Sequence, residues 1–323
     1  AVLVAHFHGF RGALIGQAIH SSVSGTLGTV FVLMAIGALI GSLYLSGTVA
    51  AFIYYGVAIV SPKLSYLIVF VLATVIAMLI GSSATVAGMI GVPFLGLASI
   101  MGVSPGITGG AAISGAVVGF LAARISPGAN LAVEAVGVKI EEHARTSLRT
   151  IIPAALISAV IYLVLGLTGG GAAGAVDPTA VQEALSQQFN INLLAFLPII
   201  LILVLSMLRF TAYLSLMLPA VFAVALAAFT QHDLIVALAA DPSLNYFEAF
   251  VKVGIDTLGT GFHLNSGIDA MDKLFAGGGI AGMINTIWLI MMAASFGAVT
   301  DYTGMLARII TPLIERAKGT VSL

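Results

Sequence analysis

Two polar interruptions in a long apolar stretch most constrain the fold of this chain. Residues 64–120 are almost wholly apolar except at Gly81-Ser82-Ser83-Ala84-Thr85 and Ser104-Pro105-Gly106-Ile107-Thr108. As a single helix, residues 64–101 would be about 57 Å long against a hydrocarbon core of about 30 Å. We therefore predict two short helices that meet at Gly81-Ser82-Ser83, either as two crossings or as a re-entrant hairpin. A broken backbone survives at membrane depth only inside protein or beside a watery cavity, and transporters form binding sites at such breaks.

Composition predicts an all-α, polytopic integral membrane protein whose surroundings are a lipid bilayer. Hydrophobic residues make up 60% of the chain and charged residues 8%, with a mean hydropathy of +1.14. Apolar segments of about 20 residues predict helices rather than the alternating strands of an outer-membrane barrel. The net charge of −1 argues against nucleic-acid binding, and the lack of cysteine excludes disulfides and thiolate metal sites within this sequence. The histidines fall in loops or near the termini, so we expect neither a metal site nor a cofactor.

The apolar segments divide the chain into five regions. They lie at 27–45, 48–60, 64–80, 84–101, 105–122, 150–167, 193–208, 211–229 and 280–300, and the first two form one element broken at Ser46-Gly47. We predict an N-terminal cytoplasmic or interfacial segment at 1–26, a first transport repeat at 27–167, a middle loop and helix pair at 168–229, an external loop with an interfacial helix at 230–279, and the truncated start of a second repeat at 280–323.

The distribution of basic residues predicts the orientation in a cytoplasmic membrane. The 123–149 loop and the 301–323 segment are rich in lysine and arginine, and Arg209 lies in a tight turn. The 168–192 loop has no basic residue, and acidic residues dominate 230–279. By the positive-inside rule the first group is cytoplasmic and the second external, with Lys63 as the exception.

A weak internal repeat is consistent with inverted-repeat transporters. Residues 38–48 and 295–305 both contain an apolar run, a glycine beside a small residue, and a hydroxyl-glycine break. The predicted topology gives the two segments opposite orientations, as an inverted repeat requires.

The strongest candidate site is the polar break itself, where Ser82, Ser83 and Thr85 lie. Freed carbonyl and hydroxyl oxygens there are ligands for a hard cation such as Na⁺, whereas freed N–H groups at the start of the following helix favour an anion or carboxylate. The alternative is that these hydroxyls bond their own helix and only permit close packing. Gly115 and Gly119 form a GxxxG-type packing face.

Other polar residues add to the candidate site. Asn130 follows a Pro/Gly-interrupted segment and offers a carbonyl oxygen, and Asn285 and Thr286 lie early in the last span. Asp301, near the break after that span, and Glu134 are the carboxylates that could exchange a proton or cation. An ordinary solvated position is the alternative for each.

Several motifs together resemble the NhaC-type sodium/proton antiporter family. They are Ile36-Gly37-Ala38-Leu39-Ile40-Gly41-Ser42, Leu45-Ser46-Gly47-Thr48, Ile53-Tyr54-Tyr55-Gly56, Gly81-Ser82-Ser83, Gly106-Ile107-Thr108-Gly109-Gly110-Ala111, Ile113-Ser114-Gly115-Ala116, Asn130-Leu131-Ala132, the stretch from Gly277 to Gly297, and Thr303-Gly304-Met305-Leu306. The resemblance implies inverted repeats with hairpins near the midplane and exchange of Na⁺ for H⁺, or of small organic acids or amino acids coupled to those ions. It places Ser82, Ser83 and Thr85 in the polar break of the first half and Asp301 where the family has an acidic residue. Thr48 and Ser114, within matched motifs, join the candidate site.

The chain departs from the family pattern at the expected ion-coupling carboxylates. The family usually reads Gly-Asp-Lys-Met-Ser-Pro-x-Ser-Asp-Thr-Thr-Asn-Leu-Ala after the Ser-Gly-Ala pattern. Without gaps, Phe120 and Pro127 stand at the two acidic positions and Leu121 at the lysine, while Ser126 and Asn130 persist. The coupling ion is therefore not fixed by the resemblance.

The combined interpretation is a secondary active transporter rather than an enzyme. We predict sodium/proton antiport by alternating access, with Na⁺ and H⁺ as transported or coupling ions. One alternative is an organic-acid or amino-acid exchanger or symporter on the same scaffold, and another is a non-transporting membrane scaffold subunit. A homo-oligomer is compatible with each of the three.

Overall fold

The computed structural model of the chain describes Ala5, residues 12–123, Ser126, and residues 140–169, 178–267, 269–308 and 310–311. Its helices are α1 (Gly12–Leu45), α2 (Thr48–Ile59), α3 (Ser65–Ile80), α4 (Ser83–Ile100), α5 (Pro105–Ala122), α6 (Ile140–Gly169), α7 (Pro178–Gln188), α8 (Leu197–Met207), α9 (Ala212–Thr230), α10 (His232–Ala239), α11 (Tyr246–Gly259), α12 (Asp269–Leu274), α13 (Gly279–Gly282) and α14 (Ile284–Tyr302). Short 3₁₀ turns, Pro62–Leu64 and Leu193–Phe196, precede α3 and α8. Two short strands, β1 (Phe262–His263) and β2 (Ala276–Gly277), pair antiparallel.

The all-α, polytopic membrane prediction is confirmed. Seven helices in the described part of the chain are long and apolar enough to cross a membrane, and a further pair, 179–188 and 193–207, is bent by 87°. The chain forms two compact units, one of residues 1–34 and 283–323 and the other of residues 35–282.

Helices α3, α4 and α5 form the packed centre of the second unit. Gly115 of α5 lies against Phe70 of α3, and one turn later Gly119 lies against Thr74, so the two helices run parallel. A side-chain carbon at Gly119 would come 2.7 Å from the Cβ of Ala77, and no real carbon approaches so closely. The predicted GxxxG-type packing face is therefore the contact between α3 and α5, because only glycine lets the two backbones approach this far.

Helix α1 begins at Gly12, well before the predicted start at residue 27. Ile15 and Ile19 are one helical turn apart and pack with Val299 in the first unit, so the helical spacing of apolar residues continues upstream. His20 consequently lies within α1. His143 in α6 and His232 in α10 also lie in helices, which corrects the prediction that they fall in loops.

The region 230–279, which was predicted to be an external loop, contains buried side chains that pack against the rest of its unit. Its predicted helix is present as α11, which begins with a capping box formed by Asn245 and Glu248. Phe262 and Phe275 are fully buried, and both rings contact Tyr44 near the end of α1, with centroids 6.0 and 5.6 Å away. Which face of the membrane this region occupies stays a prediction.

Both members of the internal repeat end their helices in the same local way. Gly47 has φ 73° after α1, and Gly304 has φ 68° after α14. The inverted relation between the two segments stays a prediction.

Candidate functional site

The predicted break at Gly81-Ser82-Ser83 is confirmed. Helix α3 ends at Ile80, and Gly81 adopts φ 73°, a left-handed conformation that glycine reaches without the steric cost of a Cβ. Ser82 then caps α4: its Oγ accepts a hydrogen bond from the Thr85 backbone N–H at 3.4 Å and lies 2.9 Å from the Thr85 Oγ1. The break is thus one local unit in which Gly81 ends α3 and the Ser82 cap starts α4.

A cavity of about 420 Å³ opens at this break, and we call it the break cavity. Its lining comes from the end of α3 and the start of α4, the end of α5, and the α8–α9 turn. The lining residues are Ile80, Gly81, Ser82, Ser83, Ala84, Thr85, Phe120, Ser206, Arg209, Phe210, Thr211, Ala212 and Ser215. Three of the predicted site residues, Ser82, Ser83 and Thr85, therefore share one cavity.

Phe120 lies in the wall of the break cavity, at the position where the family resemblance expects an aspartate. Among the described lining residues no carboxylate is present, and Arg209 carries the only formal charge. The cavity wall is consequently electropositive at a position where the resemblance expects a cation ligand.

Arg209 and Ser206 are the two lining residues whose role in the site the sequence analysis missed. Arg209 occupies the α8–α9 turn with φ 61°, an uncommon conformation for a residue that carries a Cβ. Within the described part of the chain, its guanidinium has no acidic partner. Ser206 is 7% exposed, and its Oγ is buried without a hydrogen-bond partner in the described structure. An arginine in the tight turn between two apolar segments is the sequence signal for this residue, and the sequence analysis applied it only to orientation.

Two further predicted site residues make internal hydrogen bonds away from the break cavity. Thr48 is fully buried just after the Ser46-Gly47 break; its Oγ1 donates to the Ala195 carbonyl at 2.7 Å and lies 2.8 Å from the Ser46 Oγ. Ser114 donates to the Gly110 carbonyl at 2.7 Å, and its Oγ lies 2.8 Å from the Tyr162 hydroxyl of α6. Both hydroxyls therefore join helices in this structure, and a direct role in binding stays a prediction.

The remaining candidates lie in the first unit or outside the described residues. Asn285 and Thr286 are exposed in the first turn of α14, and Asp301 is exposed in its last turn. Asn130, Glu134 and Pro127 lie outside the described residues. Their roles stay predictions.

A second cavity, of about 550 Å³, lies at the other end of α9, and we call it the glutamine cavity. Gln231 is 2% exposed there, and its side-chain amide pairs with the backbone of Asn190, donating to its carbonyl at 2.9 Å and accepting from its N–H at 3.0 Å. The same amide faces the Gly47 break, where a Cβ would come 2.5 Å from the Gln231 Nε2. The other lining residues are Tyr54, Tyr55, Ser186, Gln187, Gln188, Phe189, Ile191, Phe229, Thr230, His232, Asp233 and Leu234.

The two cavities lie at opposite ends of one helix. The break cavity reaches Ser215 near the start of α9, and the glutamine cavity reaches Phe229 near its end. At 1.5 Å per residue these positions are about 21 Å apart along the helix axis, which is a large part of the hydrocarbon thickness. Each cavity is bordered by a helix break, at Gly81 and at Gly47 respectively.

No group of three or more His, Cys, Asp or Glu side chains in the described ranges is arranged to hold a metal ion. Oxygen ligands at the break cavity come instead from hydroxyl groups and from the backbone.

Comparisons with known proteins agree on one family. The model of the Na⁺/H⁺ antiporter family matches residues 115–323. The Na⁺/H⁺ antiporter NhaC of Alkalihalophilus pseudofirmus is 28% identical over 89% of this chain and 59% of its own length. The malate-2H⁺/Na⁺-lactate antiporter of Bacillus subtilis is 25% identical over 100% of the chain and 66% of its own length. The arginine/ornithine antiporter ArcD of Halobacterium salinarum is 28% identical over 95% of the chain and 60% of its own length.

The chain thus spans roughly three-fifths to two-thirds of the length of these relatives. No solved structure matches it.

Proposed function

The chain belongs to the Na⁺/H⁺ antiporter family, and from this we propose that it works in a secondary antiporter that exchanges sodium ions for protons by alternating access. It is a multi-pass protein of the cell membrane, and its family is one of transporters rather than enzymes. No resident cofactor enters the proposal, since Na⁺ and H⁺ are cargo or coupling ions.

The main observation that supports this proposal is the pair of cavities at the two ends of α9. Alternating access needs a site that is reached from one side of the membrane at a time, with a closed region between the two entrances. Between the break cavity and the glutamine cavity, α9 buries Leu216, Ala220 and Ala223 completely. This sealed segment would separate the two entrances in the state that the structure represents.

The break at Gly81 supplies ligand types that suit ion handling. Hydroxyls at Ser82, Ser83 and Thr85 lie beside a backbone that has left the helical pattern, so carbonyl and hydroxyl oxygens are available together. A hard cation prefers such oxygen ligands. We propose Asp301 as the carboxylate that exchanges a proton or cation, because the break-cavity wall has Phe120 where a carboxylate was expected and a carboxylate within a membrane protein usually handles ions or protons.

The test is reconstitution of the full-length protein in liposomes that contain a pH-sensitive dye. Addition of external Na⁺ should alkalinise the lumen, because Na⁺ that enters is exchanged for H⁺ that leaves, and addition of choline should not. Asp301→Asn should abolish the pH dependence of this flux. The matched control is Asp256→Asn, since Asp256 is an exposed acidic residue outside the predicted spans.

Two results would contradict the proposal at different points. Full-length protein that is folded and inserted but moves no ion would favour the scaffold alternative. Exchange that keeps its pH dependence in Asp301→Asn would show that another group titrates.

A further inference from the structure

We propose that the break cavity binds the phosphate group of an anionic membrane phospholipid, whose acyl chains stay outside the cavity in the bilayer. The phosphate oxygens accept hydrogen bonds from the Arg209 guanidinium, from free backbone N–H groups at the starts of α4 and α9, and from the Ser206 hydroxyl. This site goes beyond the proposed antiport, because its ligand belongs to the membrane and is not transported.

The break cavity lies at the ends of membrane-spanning helices. Its lining includes Ile80, the last residue of α3, together with Ser83 and Ala212, the first residues of α4 and α9. Helix α9 has 19 residues, so it is about 28 Å long and nearly matches the hydrocarbon thickness of about 30 Å. The start of such a helix lies near the boundary between hydrocarbon and headgroups, which is the level of the phospholipid phosphates.

The charge at this place favours an anion. Arg209 carries the only formal charge among the described lining residues. Helices α4 and α9 both begin here, so two sets of N–H groups without an intrahelical acceptor and the positive ends of two helix dipoles add to the arginine charge. Helix starts commonly bind phosphate, and arginine holds it through two parallel N–H bonds. Basic pockets between membrane helices on the cytoplasmic side bind anionic headgroups, and the predicted topology places Arg209 on that side.

The caps of the two helices leave the first N–H groups of each helix free for the phosphate. The Ser82 Oγ accepts from the Thr85 N–H and the Thr211 Oγ1 from the Leu214 N–H, each at 3.4 Å. Thr85 and Leu214 are the third residues of α4 and α9. The caps therefore do not use the N–H groups of the first two residues of either helix.

Ser206 gives independent evidence for a polar ligand in this cavity. It lines the cavity, is 7% exposed, and its Oγ has no hydrogen-bond partner in the described structure. A serine in a helix commonly donates to a carbonyl one turn earlier, as Ser99 does to Leu95 at 3.0 Å. Ser206 lies in the same turn as Arg209, whose N–H donates to its carbonyl at 3.0 Å. A buried polar group without a partner costs free energy, and rotation about χ1 brings this hydroxyl to a phosphate oxygen in the cavity.

The surroundings of Arg209 identify a lipid as the source of the phosphate. Met207 and Leu208, immediately before it, are each 64% exposed, and Phe210, immediately after it, is 46% exposed. In a membrane, exposed apolar side chains contact acyl chains, which are equally apolar. Phe210 also lines the cavity together with Phe120, so an apolar surface continues from the cavity to the outside of the protein. A phospholipid places its glycerol and first methylene groups along that surface, whereas inorganic phosphate has no carbon to place there.

The experiment titrates the purified full-length protein in detergent with phospholipids and measures each bound lipid by native mass spectrometry. Phosphatidylglycerol is the anionic probe, and phosphatidylcholine carries the same phosphate beside a choline cation. Glycerol 3-phosphate and inorganic phosphate carry the phosphate without acyl chains. We expect the first phosphatidylglycerol to bind at least about tenfold more tightly than phosphatidylcholine, because the arginine repels the choline cation. The two soluble phosphates should not displace it.

Matched variants separate the binding role of Arg209 from folding. Arg209→Asn removes the guanidinium, and asparagine tolerates the left-handed conformation that Arg209 adopts at φ 61°. It should weaken binding of the first phosphatidylglycerol by about 10- to 100-fold, as expected for loss of a charge-assisted hydrogen bond, and melt at or above the wild-type temperature. Arg209→Lys keeps the charge but loses the two-pronged geometry, so it should bind with intermediate affinity. Ser206→Ala should weaken the same binding by about tenfold without lowering the melting temperature, because it removes a buried hydroxyl that has no partner in the described structure.

Arg308→Gln is the control for general surface charge, because Arg308 lies on the same predicted side of the membrane but outside the cavity. It should leave the first lipid bound with wild-type affinity, and weakening equal to that of Arg209→Asn would overturn the proposal. Equal affinities for phosphatidylglycerol and phosphatidylcholine, or wild-type affinity in Arg209→Asn, would also overturn it. Displacement of the lipid by equimolar inorganic phosphate or glycerol 3-phosphate would show a site for soluble phosphate instead. None of these measurements involves transport, so their outcome is independent of the proposed antiport.

Discussion

Substitution of Gly119 by alanine should destabilise the protein, although alanine is the better helix former. Gly119 of α5 lies directly on the backbone of α3. An added Cβ would overlap the Thr74 carbonyl oxygen and would lie 2.7 Å from the Ala77 Cβ and 2.8 Å from the Met78 nitrogen. Two of these three atoms belong to the backbone, so rotation of a side chain cannot relieve the overlap, and α3 and α5 must move apart.

The magnitude follows from two opposing terms. Replacing glycine by alanine inside a helix gains about 0.8–1.0 kcal/mol, and overpacking of a well-packed contact costs about 1–3 kcal/mol. The backbone contacts place Gly119 at the upper end of that cost, so the net destabilisation is about 2 kcal/mol. Gly88 on α4 is the matched control, because a Cβ there meets nothing within 4 Å. Gly88→Ala should keep only the helix-propensity gain and be stabilising by up to about 1 kcal/mol.

The assay heats detergent-purified wild type, Gly119→Ala and Gly88→Ala side by side and measures the folded fraction by size-exclusion chromatography. For a domain of this size about 1 kcal/mol shifts the melting temperature by about 2–4 °C. Gly119→Ala should therefore melt roughly 4–8 °C below wild type, and Gly88→Ala at or slightly above it. If Gly119→Ala melts as high as Gly88→Ala, the close contact of α3 with α5 is not what this structure describes.

Three further predictions test other parts of the molecule. Thr48→Val should lower the free energy of unfolding by about 1–3 kcal/mol, because it leaves the Ala195 carbonyl without its 2.7 Å hydrogen bond. Thr48→Ser keeps the hydroxyl and should melt at a higher temperature than Thr48→Val. Identical melting temperatures of the two variants would refute the role of this bond. Single cysteines at Ser147, Thr179 and Ser243 test the topology with impermeant labels, and labelling of Ser147→Cys and Thr179→Cys from the same side would refute it. The pKa of Asp272 is lowered by hydrogen bonds from the Ser266 hydroxyl and N–H at 2.6 and 2.7 Å. The ionised carboxylate therefore stabilises the adjoining loop fully above the ordinary aspartate pKa, and this stabilisation is lost as the pH falls through the lowered pKa. Hydrogen exchange at Ser266 and Gly267 should therefore accelerate at acid pH relative to distant amides, and Asp272→Asn should remove that dependence; pH-independent protection in the wild type would contradict it.

Sequence alone determined the class of protein and the position of its central break. An apolar run that is too long for one crossing must be divided, and Gly81-Ser82-Ser83 is where the residues permit division. The glycine pair Gly115 and Gly119 likewise predicted a close helix contact, because small residues one turn apart leave a flat face. These conclusions needed only chain length, hydrophobicity and local backbone preference, which are properties of neighbouring residues.

Tertiary structure decided which distant residues complete the site. Ser83, Phe120 and Arg209 meet in one cavity although long segments of chain separate them, and no periodicity in the sequence relates their positions. The same holds for Phe262 and Phe275, which are buried against Tyr44 inside a region whose acidic residues predicted an external loop. The physical reason is that helix packing depends on which apolar faces fit together in three dimensions, whereas hydropathy records only that such faces exist. The break was therefore predictable from local sequence. The grouping of Arg209, the unpartnered Ser206 hydroxyl and the two phenylalanines of the cavity wall was visible only in the assembled helices.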